Sequence, residues 1–401
     1  MKQDVLYLIS IGGGYIMNSI YLDHAASTPI HPEVASVMMK VMTEQYGNAS
    51  SVHAFGRSAK RMLNGARDQV CAMLDCYPDE LVFTGGGTES DNLALFGVSS
   101  LLSHKGKHII TSSIEHHAIL HTCDQLEREG FQITYLPVDA TGQISLSDLE
   151  EAITEETILI SIMYGNNEVG TIQPIKEIGE LARSRGILFH VDAVQALGAV
   201  PISCKELAVD LMSFSAHKVN GPQGVGALYV RRGLQLNARL YGGLQEKKRR
   251  AGTENIAGVV GFAKAIEIMY DQLKERTDYY VLLRSTLLDA LAREVGRDFF
   301  IVNGHSTEFL PHILNISFPE IDSETLLMSM DMEGIAASSG SACTSGSLEL
   351  SHVLKAMNLP EQILKSAVRF SYGLGNTTKE MERTARIIGT ILQRIRKRDH
   401  R

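Results

Sequence analysis

The sequence predicts an α/β fold, a mostly parallel sheet with helices on both faces, and three observations carry that prediction. Short apolar runs rich in β-branched residues alternate with segments of helical period, the pattern of a sheet layer covered by helices. Two of the runs end in polar residues: 187–191 leads to Asp192 and Gln195, and 210–214 leads to Ser215, His217 and Lys218. Open α/β sheets bind ligands at the carboxyl ends of their strands. The length, 401 residues, exceeds one small core and suggests two domains or three.

In chain order, the lead up to Gly14 has no clear period and no capping signals, and Met17 follows it. Translation is therefore expected to start at Met17, with residues 1–16 foreign to the native chain or disordered. A short strand opens at 20–23 and gives way to irregular chain with two prolines. His31 and Pro32 begin a helix running into Met42, a polar turn covers 46–51, and a helix spans 58–74. The strand at 81–84 meets Gly85-Gly86-Gly87 and then an apolar helix, where Thr88 and Asp91 resemble a capping box. Strands are predicted at 108–111, 133–138, 157–164, 187–192, 210–215 and 226–230. Pro174 starts a helix with Ile175, Ile178, Leu181 and Ala182 on one face. The stretch 253–291 is largely helical, and the remainder mixes strands (312–318, 368–372) with helices (323–330, 377–395). The domain boundary is expected inside the long helix near residue 275, giving a large domain of 30–275 and a small one of 17–29 with 276–401.

Composition narrows the function classes. At 44% hydrophobic and 21% charged the chain is ordinary for a globular protein, and its net charge of -8 argues against a nucleic-acid surface. Five cysteines, an odd number with no CxxC pair, speak against a disulfide framework or structural zinc and for a reducing, cytoplasmic compartment. No apolar run is long enough to span a bilayer.

The residues that can carry chemistry sit at the strand ends. Lys218 among hydroxyl and imidazole neighbours, with Asp192 from another strand end, suits pyridoxal phosphate. That cofactor needs an amine for its aldehyde, donors for its phosphate and an acid for its ring nitrogen. A lysine whose stem merely lies along a strand end fits these residues about as well. Strand, glycines and helix N-terminus at 81–92 form an anion-binding arrangement, or simply a tight turn before a helix. Of His116 and His117, one can stack on a flat ring and move protons; Asn167 can hydrogen-bond cofactor or substrate, or serve only its turn. Arg369, in an apolar strand context, suits a substrate carboxylate or a structural ion pair. Residues 338–347 are nearly all small, with Cys343 in the middle. Such a segment cannot build a core and is expected to be mobile, letting a thiol travel on the order of 10–15 Å as a nucleophile or carrier.

These segments occur together in an order that resembles the cysteine desulfurases of the NifS/IscS type, within the class V aminotransferase-fold enzymes. The matching stretches are Tyr-Leu-Asp-His-Ala-Ala from Tyr21, Phe-Thr-Gly-Gly-Gly-Thr-Glu-Ser-Asp-Asn from Phe83, and Glu-His-His-Ala from Glu115. They continue with Asn-Asn-Glu-Val-Gly from Asn166, Val-Asp-Ala-Val-Gln from Val191, Ser-Ala-His-Lys from Ser215, Arg-Ala-Gly-Thr-Glu-Asn from Arg250, Ser-Ser-Gly-Ser-Ala-Cys from Ser338 and Arg-Phe-Ser from Arg369. The resemblance implies a fold type I transferase: a large domain on a seven-stranded, mostly parallel sheet, and a smaller α+β domain. It implies removal of sulfur from L-cysteine, leaving L-alanine and a persulfide on Cys343. Lys218 would bind the cofactor covalently and His116 would stack on its ring and serve in acid–base steps. Asp192 would pair with the ring nitrogen, Gln195 and Asn167 would lie near the ring hydroxyl, and Gly87, Thr88, Ser215 and His217 would hold the phosphate. Arg369 and Asn167 would hold the substrate carboxylate. Thr253 would reach the phosphate of a partner subunit, which implies a homodimer with the basic cluster 247–250 near the entrance to its sites. The sulfur acceptor would be an iron–sulfur scaffold or a tRNA-thiolating enzyme. The chain departs modestly from the family pattern, with Gly85 where serine is frequent and Ser27 where threonine is.

Overall fold

The computed structural model describes residues 19–340 and 350–399. Among them twelve strands form: β1 (Ile20–Tyr21), β2 (Leu81–Thr84), β3 (His108–Ser112), β4 (Gln132–Leu136), β5 (Thr157–Met163), β6 (Leu188–Asp192), β7 (Leu211–Ser215), β8 (Gly226–Val230), β9 (Ile301–Asn303), β10 (Ile313–Ser317), β11 (Ile335–Ala336) and β12 (Ala367–Ser371). Seven of them make the main sheet, in the order β2-β8-β7-β6-β5-β3-β4. β3 to β7 run parallel, while β8 is antiparallel to both its neighbours. The expected seven-stranded, mostly parallel sheet is therefore present.

Along most strands of the main sheet, successive residues enter opposite cores. Ile109 packs on one face and Ile110 on the other; Leu228 and Tyr229 divide in the same way. With both faces covered, the strands read as continuous apolar runs rather than alternating ones. The helix Ile175–Ser184 buries Ile175, Ile178 and Ala182 as its spacing predicts. A separate core joins Ile20 and Leu22 to β10, β12 and the helices Leu273–Glu294 and Thr378–Asp399. It is built on the antiparallel sheet β12-β10-β9.

Three local expectations need correction. The capping box at Thr88 and Asp91 does not form: the helix Gly87–Leu102 begins on Gly86 without a side-chain cap. Glu89 Oε2 instead accepts from the Gly85 amide at 2.7 Å, and Asp91 is turned inward and buried. The helix predicted at 58–74 begins at Ala54, because His53 Nδ1 accepts from the Gly56 amide, a cap outside the usual Ser/Thr/Asp/Asn set. The long helix near 275 is two helices, Ile256–Asp271 and Leu273–Glu294, meeting at Gln272. The expectations for residues 1–16 and for Cys343 lie outside the described residues.

Candidate active site

Four neighbouring parallel strands deliver the predicted residues to one edge. After β3 comes His116, after β5 Asn167, at the end of β6 Asp192 with Gln195 beyond it, and after β7 His217 and Lys218. Together with Gly87, Thr88, Ser215 and Arg369, all of these line a cavity of about 300 Å³. A contiguous, more open volume is walled by Gly85, Gly86, Gly87, Thr88, Ser215 and His217.

Lys218 leaves the sheet on a short 3₁₀ turn, Ala216–Lys218. Its Nζ donates to the carbonyls of Ala25 at 2.5 Å and Ala26 at 2.9 Å. Asp192 is 7% exposed, and its Oδ1 accepts from the Val194 amide at 2.9 Å. Burial raises its carboxyl above the usual range, while that amide and Lys218 pull it back. Gln195 donates from Nε2 to the Ala25 carbonyl at 2.9 Å.

His116 caps the helix His117–Arg128, its Nδ1 accepting from the Ala118 amide at 3.1 Å. An accepting Nδ1 fixes the proton on Nε2 in the neutral ring. Burial, then the Lys218 charge, push this imidazole down to about 4. His117 does not line the cavity; its ring stacks on His121 at 4.9 Å and tilts against His352 at 4.8 Å. The geometry thus separates two adjacent histidines that residue type alone left equivalent.

On the anion side, Gly86 has φ +153°, a conformation side-chain residues rarely adopt, and it presents the first amides of the helix Gly87–Leu102. A Cβ on Gly87 would lie 2.6 Å from Val194 Cγ2. The glycines therefore keep open a cradle that side chains would fill. His217 Nδ1 lies 3.2 Å from Ser27 Oγ, and burial and Lys218 push its ring down to about 4. Thr253 is exposed and does not line the cavity of its own chain. In the basic cluster before it, Arg250 pairs with Glu89 at 2.8 Å.

Arg369, on β12, is 3% exposed. It donates from Nη1 to the Asn167 carbonyl at 2.9 Å and from Nη2 to Asp23 Oδ1 at 2.7 Å. Its buried Nε has no hydrogen-bond partner among the described residues. The structural ion pair with Asp23 is therefore present, and Arg369 also lines the cavity.

Sequence reasoning missed several residues here. Asp23, Ala25 and Ala26 belong to the segment after β1, and nothing in their types marks them as neighbours of Lys218 and Arg369. Glu115 is buried, its Oε1 accepting from Ser112 Oγ at 2.6 Å and the Met163 amide at 2.9 Å. Burial pushes that carboxyl up to about 8. Asp91 lines the cavity; the signal that could have found it is an acid inside an otherwise apolar helix.

The sequence pattern of the class-V aminotransferases matches residues 20–384, which defines the class. A cysteine desulfurase IscS of Methanosarcina thermophila is 47% identical over 94% of this chain and 93% of its own length. Among solved structures, a NifS-like protein superposes with a TM-score of 0.88 at 37% identity, covering 94% of this chain and all 100% of that one. The protein SspA, solved in complex with cysteine, gives a TM-score of 0.77 at 34% identity over 88% of this chain and 98% of its own. The chain therefore belongs to the class-V aminotransferase family, in its cysteine desulfurase branch.

Proposed function

We propose that this cysteine desulfurase uses pyridoxal phosphate, held by Lys218, to take sulfur from L-cysteine, leaving L-alanine and a persulfide on Cys343. The observation that carries the reading is the convergence of Lys218, Asp192, His116 and Arg369 on one cavity of about 300 Å³. The residues fit the cofactor. An amine, a buried carboxylate and a glycine-kept cradle at a helix N-terminus match its aldehyde, ring nitrogen and phosphate. Bound there, the cofactor supplies an electron sink for the bonds at the amino acid's α-carbon.

The chain's own residues do the rest. Gly87, Thr88, Ser215 and His217 hold the phosphate, and Asp192 fixes the ring nitrogen. Gln195 and Asn167 bound the ring hydroxyl. Arg369, with Asn167, grips the substrate carboxylate through donors not already bonded to Asp23. His116 stacks on the ring and serves in the acid–base steps, and burial with the Lys218 charge keeps it neutral at neutral pH. The Cys343 thiolate attacks the substrate sulfur: an S–S bond forms as the Cβ–S bond breaks, and Cβ takes up a proton. No external oxidant or reductant is needed.

The reading extends to a homodimer in which Thr253 reaches the partner's phosphate. It places the chain in the cytoplasm, with a large domain of 30–275 and a small one of 17–29 with 276–401. The persulfide passes to a sulfur acceptor, an iron–sulfur scaffold or a tRNA-thiolating enzyme. No helix among the described residues is long and apolar enough to cross a membrane. The test is alanine and sulfide release from L-cysteine with a reductant. Cys343→Ala should abolish both and keep the cofactor absorbance. Undiminished release by that variant would remove Cys343 from the mechanism.

A further inference from the structure

The helix Gly87–Leu102 carries one carboxylate into the wall that also holds Asp192. Asp91 is 1% exposed and lines the same cavity. Its Oδ1 has no hydrogen-bond partner among the described residues. One basic side chain lies close, His190, with Nε2 at 3.7 Å from that oxygen. Both nitrogens of His190 are engaged by hydroxyls, Nδ1 with Ser161 Oγ at 2.8 Å and Nε2 with Ser213 Oγ at 3.0 Å. Burial pushes this imidazole down to about 3, so it is neutral and supplies no counter-charge.

The remaining titratable groups facing Asp91 are Asp192 and Glu115, both acids. The cation of this wall, Lys218, acts on Asp192. Two carboxylates beside one ammonium in a dry wall do not both ionise, because an unpaired buried charge is too costly. The charge settles where it is stabilised, on Asp192, which has Lys218 and the Val194 amide at 2.9 Å. Asp91 has neither, and Ser213 can bond a neutral acid as well as a charged one.

We propose that Asp91 is a positioning residue held as the neutral acid, leaving the one negative charge of this wall on Asp192, aimed at the ring nitrogen of the bound cofactor. The proposal rests on the reading of Asp192 as the partner of that ring. Ionisation of Asp91 would set a second negative charge against Asp192 and loosen its hold. The hydroxyl chain Ser161–His190–Ser213 fixes the polar surroundings without contributing charge.

The test compares the holoenzyme with Asp91→Asn and Asp91→Ala, reading the cofactor's visible absorbance and the fraction retained on dialysis as pH rises from about 6 to about 9. Asparagine reproduces the neutral acid, so it should rescue retention to within about threefold of the parent, while alanine should lower it on the order of tenfold. The parent should lose retention toward the alkaline end as Asp91 ionises, and the asparagine variant should not. An asparagine variant as poor as alanine, or one sharing the parent's alkaline loss, overturns the proposal. Infrared difference spectra give a second readout that does not depend on the cofactor. A protonated-carboxyl component of the parent should disappear in Asp91→Asn and survive in Glu115→Gln. Its survival in Asp91→Asn overturns the proposal as well. A folded parent that takes up no pyridoxal phosphate would overturn the proposed function instead, and the infrared arm would still decide the state of Asp91.

Discussion

Replacing Arg369 by lysine keeps a positive charge in the cavity wall and removes the guanidinium fork. Arginine has five N–H donors and lysine three. Arg369 uses one on the Asn167 carbonyl and one on Asp23. Three remain for a substrate carboxylate, among them Nε, which has no hydrogen-bond partner among the described residues. A lysine that served Asp23 and the Asn167 carbonyl would keep at most one. The substrate loses one charge-assisted hydrogen bond and its planar alignment, about 1.5–3 kcal/mol. That corresponds to a drop in kcat/KM on the order of ten- to a hundredfold. The contact is made to a group that does not react, so KM should rise more than kcat falls. The assay is steady-state alanine release over a range of L-cysteine concentrations, with cofactor absorbance as the control for an intact site. A kcat/KM within twofold of the parent, with the cofactor bound, would refute the assignment of Arg369 to the carboxylate.

Three further outcomes are expected. Glu115→Gln should raise the melting temperature above neutral pH. The folded-state value for Glu115 is raised to about 8, so the parent binds an extra proton when folded and loses stability as pH rises from the unfolded value through about 8. Glutamine loses nothing there, giving a gap of a few kcal/mol at about pH 9 that closes toward about pH 4; a gap independent of pH would contradict this. His116→Gln should keep the cofactor but lower kcat on the order of a hundredfold or more, and single-turnover alanine formation checks it. The parent's His116 is pushed down to about 4, so it takes its extra proton, and loses its proton-accepting form, only as pH falls toward that value. Gly86→Ala forces a side chain into φ +153°, a strain on the order of 1–3 kcal/mol, and should weaken cofactor binding by fluorescence titration; unchanged affinity would remove Gly86 from the cradle.

What the sequence made legible follows from how local each feature is. The strands β5, β6 and β7 and the polar residues at their carboxyl ends are written in consecutive residues, so both the sheet and most of the cavity wall were readable. The seven-stranded sheet, the glycine-opened helix and the buried Arg369 came out as expected. Ala25 and Ala26 were not readable as neighbours of Lys218, because they reach it across almost two hundred residues of intervening chain through backbone carbonyls, which have no sequence signature, and Asp23 meets Arg369 across a longer stretch still. The capping box failed for a related reason. Thr88 and Asp91 have the right spacing, but the buried wall beside His190 took Asp91, and spacing alone cannot register that competition. The choice between His116 and His117 depended on which ring β3 and the following turn aim into the cavity.

Under the proposed function, the bond between Arg369 and Asp23 also bears on how product leaves. Alanine carries the same carboxylate as cysteine, so an arginine with no other partner would hold product as firmly as substrate. Asp23 is an internal rival, a carboxylate 2.7 Å from Nη2 whose side chain is 20% exposed. It dilutes the pull of the guanidinium on whatever enters, and it keeps the buried cation from being left bare when alanine departs. From the same stretch, the Ala25 and Ala26 carbonyls accept from the Lys218 ammonium. Under the proposed function, Arg369 would then be satisfied by Asp23 at both ends of a cycle. On that reading, product leaves by an exchange of partners at Arg369.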